Sequence, residues 1–188
     1  MKQKIILSIF VLLLVLLISG TVYADSSSGG YTIESYDINM KVNENNTFDI
    51  FETIKVDFTG YNKHGIVRKI PLRNTVTRLD GTKSNNRAKI SNISVSDSYT
   101  TSTQDGYKVL KIGSSSQTVS GEKTYKIKYN YNIGKDPLKN ADELYFNLIG
   151  DGWDTSIKNV TFTITMPKSF DASKLGFSSR VYNFTKQC

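Results

Sequence analysis

The sequence predicts an all-β fold: an immunoglobulin-like antiparallel β-sandwich of about seven to nine strands, preceded by a signal-peptide helix. Three observations carry this. Apolar residues recur at every second position, most cleanly at Tyr125, Ile127, Tyr129, Tyr131 and Ile133, which alternate with Lys126, Lys128, Asn130 and Asn132. Polar turns rich in Gly and Asn separate such runs at short intervals. Beyond the leader, no stretch keeps helical periodicity for more than about two turns. The Cys…Trp…Cys framework of antibody domains is missing, so "immunoglobulin-like" describes architecture alone.

The chain of 188 residues opens with Lys2-Gln3-Lys4 and an apolar run from Ile5 to Ile18 broken by Ser8, then small or short residues at Val22 and Ala24. This is the layout of a secretory signal peptide over residues 1–24, cut after Ala24; the run is short for a membrane span, which needs about 20 apolar residues. Residues 25–30 read as a flexible leader and 31–188 as a single β-sandwich domain. The implied location is extracellular or the outer face of the cytoplasmic membrane.

Composition narrows the function classes. The formal charge is +7, and removing Lys2 and Lys4 with the leader leaves 22 basic against 17 acidic residues, or +5. Spread lysines suit loose contact with an anionic cell-envelope polymer or lipid headgroups. They form no basic stripe with stacking aromatics, so nucleic acid is not an expected partner. One cysteine, Cys188, permits no intrachain disulfide, and one histidine with one cysteine cannot make a Cys/His zinc site. No cofactor is implied, and neither the partner nor the oligomeric state is written in these motifs.

In chain order, Tyr36, Ile38, Met40 and Val42 line one face of a first strand. Asn43-Glu44-Asn45-Asn46 is turn chemistry, and Thr47 to Phe58 completes a hairpin. Gly60 to Lys63 turns the chain into an Ile66–Ile70 strand, stopped by Pro71. Arg73 to Arg87 reads as a polar excursion with its own short hairpin. Strands are expected at Ile90–Val95, Tyr107–Ile112, Lys123–Ile133 and Glu143–Leu148, with loops at Asp97–Asp105 and Gly113–Gly121. The glycines of Ile149-Gly150-Asp151-Gly152-Trp153-Asp154 permit a sharp reversal. Val160, Phe162, Ile164 and Met166 line one face of a further strand, followed by a short helical turn near Asp171–Leu175 and a last strand around Arg180–Phe184.

Two charged residues stand out. Ile66, Arg68 and Ile70 share a face, and a guanidinium between isoleucines needs a carboxylate if buried. Glu52 shares its face with Phe48, Ile50, Ile54, Val56 and Phe58, so the two are expected to meet as a structural ion pair.

Three blocks together then resemble a known family: the hairpin with Glu52-Thr53-Ile54, the run His64-Gly65-Ile66-Val67-Arg68-Lys69-Ile70-Pro71, and Asp142-Glu143-Leu144-Tyr145-Phe146-Asn147-Leu148-Ile149-Gly150-Asp151-Gly152-Trp153. Over roughly Tyr31 to Pro167 they are similar to the amino-terminal extracytoplasmic domain of predicted bacterial membrane proteins, domain-of-unknown-function family 2207. The His-Gly-Ile-x-Arg-x-Ile-Pro block is the most specific part. The resemblance implies an exported β-sandwich, usually with transmembrane helices downstream, and brings no reaction or cofactor. No apolar run long enough to span follows Pro167, so a shortened secreted relative or an incomplete chain is expected.

His64 could be a general base, but beside Gly65 a turn residue bonded to backbone is expected. Asp142, Glu143, Asp151 and Asp154 could bind calcium or form a glycosidase pair; solvated turn acids are expected instead. Trp153 is expected to plug the sandwich end, and the tyrosines of the Lys123–Ile133 strand to lie in the core. The function expected is non-enzymatic recognition of a protein or cell-envelope partner at the outer cell surface. The alternatives are a carbohydrate-active enzyme using loop carboxylates and a structural spacer for a missing membrane segment.

Overall fold

The computed structural model describes residues 29–77, 81–134 and 144–176. The expected signal peptide, Asp142, Glu143 and the expected last strand lie outside the described residues. Ten strands follow in order: β1 (Thr32–Val42), β2 (Thr47–Asp57), β3 (Gly65–Pro71), β4 (Arg73–Thr77), β5 (Lys83–Arg87), β6 (Lys89–Val95), β7 (Tyr99–Gln104), β8 (Tyr107–Gly113), β9 (Glu122–Asn132) and β10 (Val160–Thr165). A five-stranded sheet runs β10-β1-β2-β9-β6, a three-stranded sheet runs β3-β8-β7, and β4-β5 forms a separate ladder.

The period-two pattern places the core. Inward residues of the large sheet (Ile38, Ile54, Ile127, Tyr129) and of the small one (Ile66, Ile70, Leu110, Ile112) form one buried cluster, so the two sheets face each other as a sandwich. The β1–β2 hairpin is held at its turn by Asn43, whose amide donates to Thr47 Oγ1 (3.1 Å) and Asp49 Oδ2 (2.9 Å). A bulge between Ile33 and Ser35 shifts the phase of β1, which is how Ile33 and Tyr36 both point inward.

The structure departs from the sequence reading at four places. Ten strands lie among the described residues, and Asp97–Asp105 is no loop: Tyr99–Gln104 pairs with β8 across an Asp105-Gly106 turn with positive φ at both residues. The expected strand at Glu143–Leu148 is irregular over residues 144–148, where Leu144, Phe146 and Leu148 pack against the core without a ladder partner. The pairing is not purely antiparallel, since β10 runs parallel to β1 from Tyr36↔Val160 to Lys41↔Thr165. Finally, β10 is at the edge of its sheet among the described residues, and its apolar row is only partly covered: Ile164 packs against the core, while Phe162 is 51 % and Val160 38 % exposed. The expected hairpin in Arg73–Arg87 and the short turn at Ala172–Lys174 are present.

Candidate functional site

On β2 the inward row carries one charge, Glu52, and on β3 one charge, Arg68; they are 0 % and 2 % exposed. Arg68 donates from Nε to Glu52 Oε2 at 3.0 Å and from Nη2 to Oε1 at 2.8 Å, a bidentate pair. Tyr129 of β9 adds a third donor to the carboxylate, its hydroxyl lying 2.7 Å from Oε1. The remaining arm of the guanidinium, Nη1, donates to the carbonyls of Lys69 (2.7 Å) and Ile149 (3.0 Å). Tyr36 and Trp153 flank it, each ring centroid 5.8 Å from Cζ.

The third block enters through that Ile149 carbonyl. Trp153 Nε1 donates to the same oxygen at 3.1 Å, and Trp153 meets Tyr36 edge-on at 5.8 Å and packs half-buried against the core. Asn147 Oδ1 accepts from the Gly150 N–H at 3.0 Å and folds the loop. Gly150 has φ +79°, and a Cβ there would sit 3.0 Å from Arg68 Nη1, so glycine serves both the turn and the close approach. Glu52, Arg68, Asn147, Gly150 and Trp153, spread over about a hundred positions of sequence, are thus one interlocked cluster.

Electrostatics fix its charge state. Burial by itself would lower the pKa of Arg68; the Glu52 carboxylate outweighs it and holds the guanidinium well above its usual range. Burial, reinforced by the same carboxylate, pushes the Tyr36 and Tyr129 hydroxyls well above ordinary phenols. The Tyr36 hydroxyl makes no hydrogen bond of normal geometry. The arginine is therefore a permanent cation and the phenols stay neutral near pH 7, so these three groups exchange no protons there. The cluster is suited to holding three chain segments together.

His64 sits at the mouth of β3. Its Nδ1 lies 3.1 Å from the Ser114 carbonyl and 3.0 Å from that of Gln117, which sets Nδ1 as a shared N–H donor to backbone. Next to it, Gly65 and Gly113 face each other: a Cβ on Gly65 would be 1.9 Å from the Ile112 carbonyl oxygen, and one on Gly113 equally close to that of His64. Ile66 and Ile70 are buried, while Pro71 gives its carbonyl to the Tyr131 hydroxyl at 2.8 Å. Leu144 packs against the core and Tyr145 is 58 % exposed. Asp151 and Asp154 have different partners, Tyr107 and Tyr31. Among the described residues no three His, Cys, Asp or Glu side chains group to hold a metal.

Beside the cluster, where β3 passes into β4, lies a cleft of about 120 Å³. Arg73, Asn74, Tyr107, Phe146, Asn147 and Asp151 line it. Tyr107 donates to both carboxylate oxygens of Asp151 at 3.0 Å, and Phe146 stands edge-on to Tyr131 (5.1 Å) and Phe48 (5.7 Å). Burial pushes the Tyr131 hydroxyl up to about 12. Sequence reasoning passed over Tyr129, Arg73, Asn74 and Tyr107 as site residues. For Tyr129 a signal existed, its place two residues after Ile127 on the dry face of β9; the other three become neighbours only through the sheet arrangement.

The profile of a predicted membrane protein N-terminal domain, DUF2207, matches residues 32–185. The chain belongs to the DUF2207 family. No curated protein matches it. Among solved structures, this DUF2207 domain is similar to native yeast LTA4 hydrolase at 10 % identity and TM-score 0.36, over 60 % of this chain and 17 % of that one. It is also similar to M1 zinc metallopeptidase from Deinococcus radiodurans: 11 % identity and TM-score 0.33 over 54 % and 20 % of the two chains. A mutant of that peptidase bound to a Tyr-Ser-Ala substrate gives 13 % identity and TM-score 0.40, over 73 % and 32 %. The DUF2207 domain thus spans a third or less of those chains, and likeness at this level bears on neither fold nor activity. No helix among the described residues is long and apolar enough to cross a membrane.

Proposed function

We propose that this domain is a non-enzymatic recognition module, exported by its signal peptide, which contacts a protein or cell-envelope partner at the outer surface of the cell. One observation carries the reading. The Glu52–Arg68 cluster holds β3 and the 147–153 loop, and Pro71 at the end of β3 and Asn147 and Asp151 of the loop line the cleft together with Arg73 and Asn74 of β4. Polar side chains presented to solvent by a fixed scaffold are the arrangement binding loops use. The family's description as a predicted membrane protein domain agrees with a site at the membrane's surface.

The test is retention of the purified protein on cell-envelope preparations, wild type against Arg73→Glu, with released sugars assayed in parallel. Retention that falls in the variant supports the reading. Equal retention of both proteins overturns it, and catalytic release of saccharide replaces it with the hydrolase alternative.

A further inference from the structure

Resting on that reading, we infer that the cleft between Arg73 and Asp151 takes a single neutral sugar ring of an envelope glycan. Size speaks first. At about 120 Å³ the cleft is far below the roughly 300–1,000 Å³ of sites that engulf drug-sized ligands, and it has room for one six-membered ring seated partly in solvent.

Charge comes next. The cleft is lined by a guanidinium and a carboxylate. An anion would gain Arg73 and meet Asp151; a cation would gain Asp151 and meet Arg73. A neutral polyhydroxyl satisfies both, because a hydroxyl donates to the carboxylate and accepts from the guanidinium. Asn74 and Asn147 add side-chain amides, groups that hydrogen-bond to sugar hydroxyls. The Asn147 oxygen is engaged with the Gly150 N–H, so its amide hydrogens are what this loop offers a ligand.

The walls complete the fit. Tyr107, Tyr131, Phe146 and Pro71 bring apolar carbon to the lining, and a pyranose has apolar C–H faces to lay against such rings. Tyr107 is tied to Asp151, and Phe146 is braced by Tyr131 and Phe48, so the walls are set before a ligand arrives.

The experiment is titration of the ¹⁵N-labelled protein with glucose, N-acetylglucosamine and rhamnose, with acetate and ethylammonium as charged controls, followed by NMR. The expected result is saturable shifts of the Asn74 and Asn147 amides and Arg73 Nε with at least one sugar at millimolar concentration. Binding should weaken at least about tenfold, some 1.4 kcal/mol, in both Arg73→Ala and Asp151→Ala. Both side chains are exposed, and an unchanged spectrum outside the cleft verifies that the variants fold. The inference is overturned if no sugar gives saturable shifts, if acetate or ethylammonium saturates the cleft more tightly, or if the variants bind sugar as wild type does. Envelope retention that depends on Arg73 without any sugar binding would remove the sugar and leave recognition standing; retention independent of Arg73 removes recognition itself.

Discussion

Replacing Glu52 by alanine removes the acceptor of three short hydrogen bonds, at 3.0, 2.8 and 2.7 Å, and leaves the Arg68 cation in a fully buried position. Stranding one partner of a buried pair costs about 3–5 kcal/mol. Two of the four hydrogen bonds of Arg68, to the Lys69 and Ile149 carbonyls, survive the change and keep the loss from going higher. Against a total stability of roughly 5–15 kcal/mol, that loss takes from about a fifth to the whole of it. The double variant Glu52→Leu/Arg68→Met removes both charges, and such swaps elsewhere are often neutral or stabilising. Here it takes the guanidinium from the Lys69 carbonyl and the carboxylate from the buried Tyr129 hydroxyl, while the Ile149 carbonyl keeps the Trp153 indole N–H, so recovery should be partial, with about 1–3 kcal/mol still missing. Urea unfolding followed by the fluorescence of Trp153, the only tryptophan and a direct neighbour of the guanidinium, measures both. A Glu52→Ala protein within about 1 kcal/mol of wild type, or a double variant less stable than the single one, would refute the reasoning.

Other outcomes follow from the same geometry. Gly150→Ala should lose clearly more stability than Gly121→Ala: both positions have positive φ, at a cost of about 1–2 kcal/mol, but only the first drives a methyl against Arg68; equal losses in denaturant would contradict the close approach. Gly65→Ala should yield no folded product, since its Cβ would lie 1.9 Å from a backbone oxygen; a wild-type melting curve would contradict the register of β3 on β8. At high pH, unfolded tyrosines lose their protons near 10.0, whereas Tyr125 and Tyr131 hold theirs to about 12 and Tyr36 and Tyr129 further still. The native state then binds more protons, so stability is level below about pH 10 and falls above it, by about 1.4 kcal/mol per unit for each tyrosine. Circular dichroism should show cooperative unfolding between about pH 10 and 12; an intact fold beyond that range would contradict the burial of these hydroxyls.

What the sequence disclosed was local. Alternation named the dry faces of β1, β2, β3 and β9, and it singled out Glu52 and Arg68 because each was the lone charge in an apolar row. Alternation carries no direction, which is why the parallel course of β10 beside β1 was out of reach. It also misread residues 144–148, where Leu144, Phe146 and Leu148 alternate as a strand would but pack as irregular chain. Thr100 to Gln104 lacked apolar residues altogether, so only its pairing with β8 reveals a strand. The cleft was invisible for another reason: Arg73, Tyr107 and Asp151 come from three distant segments, and only the sandwich makes them neighbours.

The central claim is that Arg68 is held from three directions, by Glu52, by Ile149 and between two aromatic rings. ¹⁵N NMR of the arginine side chains tests it directly. Arg68 should show separate Nη signals, slow hydrogen exchange that ends only on global unfolding, and proximity to the Trp153 indole. A single averaged signal exchanging as fast as those of surface arginines would contradict it.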